Sequence, residues 1–185
     1  LKWILSIIAI ILITTVFAVY IITFHPKKIQ SEKVISLGHA PILSATQPIS
    51  ILNWNVQFFA GNKNNHFVFE GGSDPWPAAS TIINNIKLTT HKIKQFNADI
   101  LVLQEVQNNS VMSAKINEIA ALEQQLGSLY PNYTCSYYLH NLYIPNAAYN
   151  GPANQILCIF SKYKIQSATR YALASNLGDN YFVKQ

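Results

Sequence analysis

Two short apolar runs in the chain each end close to a single polar residue. The first, ISILNWNV, covers residues 49–56 and carries Asn55; the second, DILVLQEV, covers residues 99–106 and carries Glu105. Runs of this length that are rich in β-branched residues are typical of strands buried on both faces. Because α/β proteins often place their chemistry at strand ends, Asn55 and Glu105 are the first candidate site residues.

Helical and strand patterns alternate around these runs. Apolar spacing predicts a helix over residues 80–96, capped by Ser80 and buried through a face that includes Phe96, and a second helix over residues 113–126. Further strands are expected over residues 133–139, 155–161, 165–171 and from 181 onward, and clustered turn formers predict a long loop over residues 58–79. Strand, helix and strand in succession indicate an α/β fold.

Residues 3–24 are apolar and carry no charge. A helix of this length crosses a hydrocarbon core of ~30 Å. A cleaved signal peptide would have an apolar core of only ~7–15 residues, followed by a small-residue cleavage site that is not seen here. We therefore expect residues 1–26 to be an uncleaved single-pass anchor that makes the membrane a partner of the chain.

The side of the membrane on which the rest of the chain lies stays open. Lys2 precedes the apolar segment, whereas Lys27, Lys28 and Lys33 follow it. Counting these lysines favours a cytoplasmic C-terminal side. Anchored enzymes of secreted type often translocate their domain regardless, so an extracytoplasmic domain is slightly preferred.

Composition changes this picture little. Half of the residues are hydrophobic and only 11% are charged, with a formal net charge of +5 that suits an anionic surface or substrate. Lysines beside an anchor commonly contact lipid head groups. Residues 27–48 show no sustained period and are predicted to be a linker, which leaves residues 49–185 as the domain.

The two cysteines, Cys135 and Cys158, fall in predicted strands without the spacing of a metal site. Buried free thiols are the default expectation. A disulfide requires that the domain face an oxidising compartment.

Taken singly, each candidate residue has a structural alternative. Glu105 is either a salt-bridged or helix-capping acid or a ligand of a hard divalent cation such as Mg²⁺. Asn55 either satisfies backbone groups beside a turn or takes part in a site.

Taken in order, the motifs NWNVQFF (53–59), DILVLQEV (99–106) and NQILCIFSKYKI (154–165) resemble the endonuclease/exonuclease/phosphatase superfamily, which includes pancreatic deoxyribonuclease and sphingomyelinases. The resemblance implies the N-terminal half of a four-layer α/β sandwich, in which two sheets are flanked by helices. It implies hydrolysis of a phosphoester substrate, either nucleic acid or phospholipid, with Mg²⁺ or Mn²⁺ bound by Glu105. Asn55 would hydrogen-bond the phosphate or the attacking water. No protein partner is implied.

The chain also departs from the family pattern. The His and Asp that form the general base in this superfamily are expected after Gln185, and Gly178-Asp179-Asn180 is expected to be only a turn. We therefore expect this stretch to be a fragment that is inactive alone, with one sheet face uncovered. The alternative is a non-catalytic, membrane-tethered remnant or binding module.

Overall fold

In a computed structural model, the described residues are 2–61, 67, 72–73, 76–144 and 150–173. The predicted strand from residue 181, the turn at Gly178-Asp179-Asn180 and much of the loop over residues 58–79 lie outside these ranges. The described part is mixed α/β, with three α-helices and two sheets.

The chain begins with an apolar helix, α1 (Lys2–Ile22), none of whose residues is buried against the rest of the protein. It is 21 residues long and contains an 18-residue window with a mean hydropathy of 2.8, so it is long and apolar enough to cross a membrane. A signal sequence near the N-terminus has the same properties.

The remaining elements are short and closely connected. The strands are β1 (Ile29–Glu32), β2 (Val34–Ser36), β3 (Ile51–Asn55), β4 (Ile100–Gln107), β5 (Asn132–Ile144), β6 (Gly151–Ser161) and β7 (Ala168–Tyr171); the helices are α2 (Ala79–Phe96) and α3 (Glu118–Leu126). A five-stranded sheet has the order β2-β5-β6-β4-β3, and β1 pairs with β7 in a separate ribbon. Within the large sheet β3 and β4 are parallel, and the other pairs are antiparallel.

The predicted linker over residues 27–48 contains two of these strands, so the expectation of a bare spacer is wrong. β1 pairs with β7 and β2 pairs with the start of β5. Both strands are too short, at four and three residues, to show a period in the sequence, and their backbone partners lie between 96 and 142 residues away. Long-range pairing, which no local pattern reports, determines their structure.

Both helices after α1 contribute to one core on a single face of the large sheet. Ile82, Ile86 and Ile93 of α2 and Leu122 and Leu126 of α3 are buried there. The sheet contributes alternate residues to the same cluster, including Leu101, Leu103, Ile156, Cys158 and Phe160. This one-sided packing explains why alternate sheet residues point away from the core.

The opposite face of the sheet is exposed among the described residues. Ile51 is 59% exposed, Leu157 43% and Ile159 41%, and β3 alternates between exposed and half-buried positions. The prediction that the first run is buried on both faces is therefore wrong, because β3 is an edge strand covered on one side. The four-layer sandwich stays a prediction.

The two cysteines form a disulfide, so the default expectation of free thiols is wrong. Cys135 on β5 and Cys158 on β6 are directly opposite in the antiparallel register. Adjacent strands bring such side chains within bonding distance, whereas sequence spacing alone does not reveal the register.

The two predicted helices differ from the observed ones mainly at their ends. Ala78, not Ser80, is the N-cap of α2, and Phe96 is 65% exposed at its last position. The second helix begins at Glu118 instead of near residue 113, because the Asn117 side chain accepts a hydrogen bond from the Ala120 amide and caps it.

Candidate functional site

The parallel pairing of β3 and β4 brings the two predicted site residues together. Asn55 lies opposite Gln104 in the register, and the Val56 amide donates to the Gln104 carbonyl over 3.0 Å. Glu105 is the next residue on β4. Both side chains therefore lie at the carboxyl ends of adjacent parallel strands, where α/β proteins place ligands.

Asn55 combines a structural bond with a free donor group. Its Oδ1 accepts a 2.9 Å hydrogen bond from the backbone amide of Gln57 and so fixes the start of a left-handed turn. Gln57, Phe58 and Phe59 have φ values of 45°, 42° and 51°, and both phenylalanines are buried. The Asn55 side chain is exposed, and its Nδ2 has no partner among the described residues, so this amide can donate to a phosphate oxygen.

Glu105 is held in an unusual backbone conformation. Its φ of 58° is left-handed, and it lies in a β-bulge where Gln104 and Glu105 together oppose only Leu157. Left-handed backbone at a non-glycine residue costs about 1–2 kcal/mol. The half-buried carboxylate makes no hydrogen bond or ion pair with the described part of the chain, so neither the salt-bridge nor the capping interpretation applies.

Tyr138 is a member of this site that the sequence did not indicate. It occupies an irregularity in β5, between Tyr137 and Leu139, which lies across β6 from the bulge at Glu105. Burial, and then the nearby Glu105 charge, raise the pKa of the Tyr138 hydroxyl, so it remains a neutral donor at physiological pH. Bulges commonly redirect side chains beside functional sites, and none is visible in sequence alone.

The donor set suits a hard cation with few protein ligands. Besides the Glu105 carboxylate, β3 and β4 carry the side-chain amides of Asn53 and Gln104, which are hydrogen-bonded to each other. Within the described ranges no group of three or more His, Cys, Asp or Glu side chains could hold a metal. Mg²⁺ is often bound through one or two carboxylates, with water and substrate phosphate completing its coordination, so Glu105 fits that role.

Two other polar side chains near the site are held by the fold. His140 contacts Asn154 Oδ1 through Nδ1 at 2.6 Å, directly across the β5–β6 pair, and its ring packs on Tyr137 at 4.4 Å. Glu118 is completely buried, and its carboxyl group accepts a 2.7 Å hydrogen bond from the backbone amide of Gln107. Burial raises the pKa of Glu118 well above its usual value, which favours the neutral acid.

A cleft of about 270 Å³ lies beside Asn55, between the end of β3 and α2. Trp54, Asn55 and Phe59 line one side, and Asn85 and Thr89 of α2 line the other. The Asn85 amide donates to the Phe59 carbonyl at 2.7 Å and so connects α2 to the left-handed turn. The cleft gives a small polar group access to Asn55.

Comparisons of the chain with protein-family models, with curated proteins and with solved structures give no match.

Proposed function

We propose that the chain belongs to a membrane-anchored, metal-dependent phosphohydrolase. The observation that supports this most directly is the left-handed, bulged backbone at Glu105, which lies on β4 next to the residue that pairs with Asn55 and whose carboxylate is unpaired among the described residues. Strained backbone at non-glycine residues is concentrated at functional sites. The substrate class proposed is a phosphoester of nucleic acid or phospholipid.

In this proposal each side chain has a distinct role. Glu105 would hold Mg²⁺ or Mn²⁺, which when bound supplies Lewis-acid polarisation of a phosphoryl oxygen. The Asn55 Nδ2 would donate to a phosphate oxygen and orient the group, while its Oδ1 stays committed to the Gln57 amide. The Tyr138 hydroxyl, neutral at physiological pH, would donate a further hydrogen bond near Glu105.

We also propose that α1 is an uncleaved anchor and that the domain lies on the extracytoplasmic side. The Cys135–Cys158 disulfide supports this topology, because disulfides persist in oxidising compartments and not in the cytosol. This argument outweighs the three lysines that follow α1, since positive charges do not prevent the translocation of long domains.

The second candidate is a non-catalytic, membrane-tethered binding module. The exposed apolar face of the large sheet favours it, because contiguous apolar surface often marks an interaction site. In this case Glu105 would bind no metal.

Metal binding separates the two candidates without requiring turnover. Mn²⁺ titration, followed by electron paramagnetic resonance, should give a bound signal for the wild type and at least about tenfold weaker binding for Glu105→Gln. Glu123→Gln is the matched control, because Glu123 hydrogen-bonds Tyr133 in another part of the molecule. Equal Mn²⁺ binding by the wild type and Glu105→Gln would contradict the metal site.

Hydrolysis is tested on the full-length gene product with DNA, RNA and phospholipid vesicles as substrates. We expect Mg²⁺-dependent cleavage of one of them, with Asn55→Ala lowering the rate by at least about tenfold and Asn53→Ala having a smaller effect. Absence of cleavage in all three assays would favour the binding module.

A further inference from the structure

The junction between α1 and the domain is fixed by hydrogen bonds. The Phe24 amide, two residues after α1 ends, donates to Oδ1 of the buried Asn141 over 3.0 Å. The Phe24 ring meets the His140 ring edge-on at 5.8 Å. Further along, the Lys27 carbonyl accepts from Arg170 at 3.2 Å. The Lys28 carbonyl accepts from the Ala172 amide at 2.8 Å.

These bonds determine which end of the domain is nearest to the helix. Asn141 lies opposite Ala153, near the tip of the β5–β6 hairpin, whereas Ser161 at the other end of β6 pairs with the start of β4. The nine residues from Ala153 to Ser161 span about 27 Å of strand. The hairpin tip is therefore the membrane-proximal end, and residues near Ser161 are distal.

The membrane-proximal end carries a set of exposed apolar and aromatic side chains. We call this set the rim: Ile29, Leu142, Tyr143, Tyr171 and Leu173, which are between 43% and 91% exposed. Ile29 and Tyr171 are opposite each other in the β1–β7 ribbon. Single exposed apolar residues are common, but these five share the end from which α1 leaves the domain.

The charge next to the rim matches a lipid surface. Lys27 and Lys28 are exposed in the short segment between α1 and β1. Lysines in this position are attracted to anionic head groups, and tyrosines are enriched at the level of the head groups. Apolar, aromatic and basic groups in one place are typical of a surface that inserts into the bilayer interface.

We propose that the rim rests in the head-group layer of the bilayer that α1 crosses, so that the domain lies on the membrane in one orientation. The strand directions then place the carboxyl ends of β3 and β4 toward the bilayer, because β4 runs from the distal end near Ser161 toward Gln107. Glu105 lies opposite Leu157, and His140 near the membrane-proximal end lies opposite Asn154. Leu157 and Asn154 are three residues apart on β6, so Glu105 is about 10 Å along the strand from the level of His140. A phosphoester reaching Glu105 would approach from the head-group layer.

This inference rests on the proposed anchoring by α1 and is independent of hydrolysis. Spin labels on single introduced cysteines test it in the full chain, reconstituted in vesicles that contain phosphatidylcholine and phosphatidylglycerol. The native cysteines are paired and do not react with the label. The label sites are Tyr143→Cys and Leu173→Cys in the rim, Phe96→Cys at the distal end and Ile11→Cys in α1.

Phe96 is a matched control, because it is 65% exposed and its neighbour Asn97 accepts a hydrogen bond from Lys162, just past Ser161. We expect labels at 143 and 173 to be more accessible to oxygen than to a water-soluble nickel chelate, and the label at 96 to show the reverse. The proposal fails if either rim label is as water-accessible as the label at 96, or if the label at 96 is equally lipid-exposed. A water-accessible label at Ile11 would overturn the anchor as well, whereas a lipid-exposed Ile11 with a water-accessible rim overturns the rim alone.

Discussion

The left-handed backbone at Glu105 predicts an inverted response to glycine. At an ordinary strand position, glycine is less stable than alanine by about 0.5–1 kcal/mol, because the flexible chain loses more entropy on folding. At Glu105 the φ of 58° penalises any side chain with a Cβ by about 1–2 kcal/mol. Glu105→Gly should therefore be more stable than Glu105→Ala by about 1 kcal/mol.

The comparison of glycine with alanine isolates the backbone term, because both substitutions remove the same carboxylate. The matched control is the same pair of substitutions at Gln104, the neighbouring residue in the bulge, whose φ is not positive. There both substitutions lose the bond to Asn53, and alanine should be the more stable by about 0.5–1 kcal/mol. The difference between the two sites is thus expected to be about 1.5–2 kcal/mol.

Urea unfolding of the detergent-solubilised chain, followed by tryptophan fluorescence, measures these differences. Both Glu105 variants should also lose Mn²⁺ binding, so that Glu105→Gly gains stability relative to alanine without regaining the site. The reasoning is refuted if glycine is less stable than alanine at position 105. It is also refuted if positions 104 and 105 respond alike.

Three further predictions concern other parts of the fold. Wild-type protein should gain two maleimide-polyethylene-glycol adducts only after reduction, and labelling without reduction would contradict the disulfide. Replacing both Cys135 and Cys158 with serine should lower the free energy of unfolding by about 3 kcal/mol, given the 23-residue separation. Because burial raises the pKa of Glu118, the folded state keeps the proton to higher pH than the unfolded chain. The free energy of unfolding should be highest below the ordinary pKa of 4.5 and should fall as the pH rises toward the folded pKa; urea unfolding at a series of pH values from 4.5 upward should show this decline in the wild type and not in Glu118→Gln. A Cβ at Gly127 would lie 2.7 Å from the Glu123 carbonyl oxygen and 2.8 Å from Leu37 Cδ1, so Gly127→Ala should cost about 1–3 kcal/mol in a thermal melt, whereas Ser128→Ala should be near neutral.

The sequence was most informative where a single element carried its own pattern. The uncharged run that forms α1 and the periodic apolar residues of α2 predicted both helices, because burial or membrane insertion of a helix depends on its own side chains. The alternation in β3, with Asn53 and Asn55 between Leu52 and Trp54, already indicated a strand covered on one face. The prediction of burial on both faces does not fit this alternation.

The candidate site was predictable only in part. The motifs predicted Asn55 and Glu105 as candidates, and parallel pairing places Asn55 opposite Gln104, the residue before Glu105. Tyr138 was not predicted, because its approach to Glu105 depends on two irregularities in strands that are far apart in sequence. The burial of Glu118 was missed for a similar reason, since its helix begins later than the apolar pattern suggested.

The register of the β5–β6 hairpin also has a consequence for the order of folding. Shifting the pairing by one residue would move every side chain of a strand to the opposite face. Cys135 and Cys158 are only 23 residues apart and lie directly opposite each other in the native register, so their disulfide holds the paired hairpin in that register before distant segments arrive. β2 and β4 would then add to an already aligned template, which spares the chain a slow search among non-local pairings.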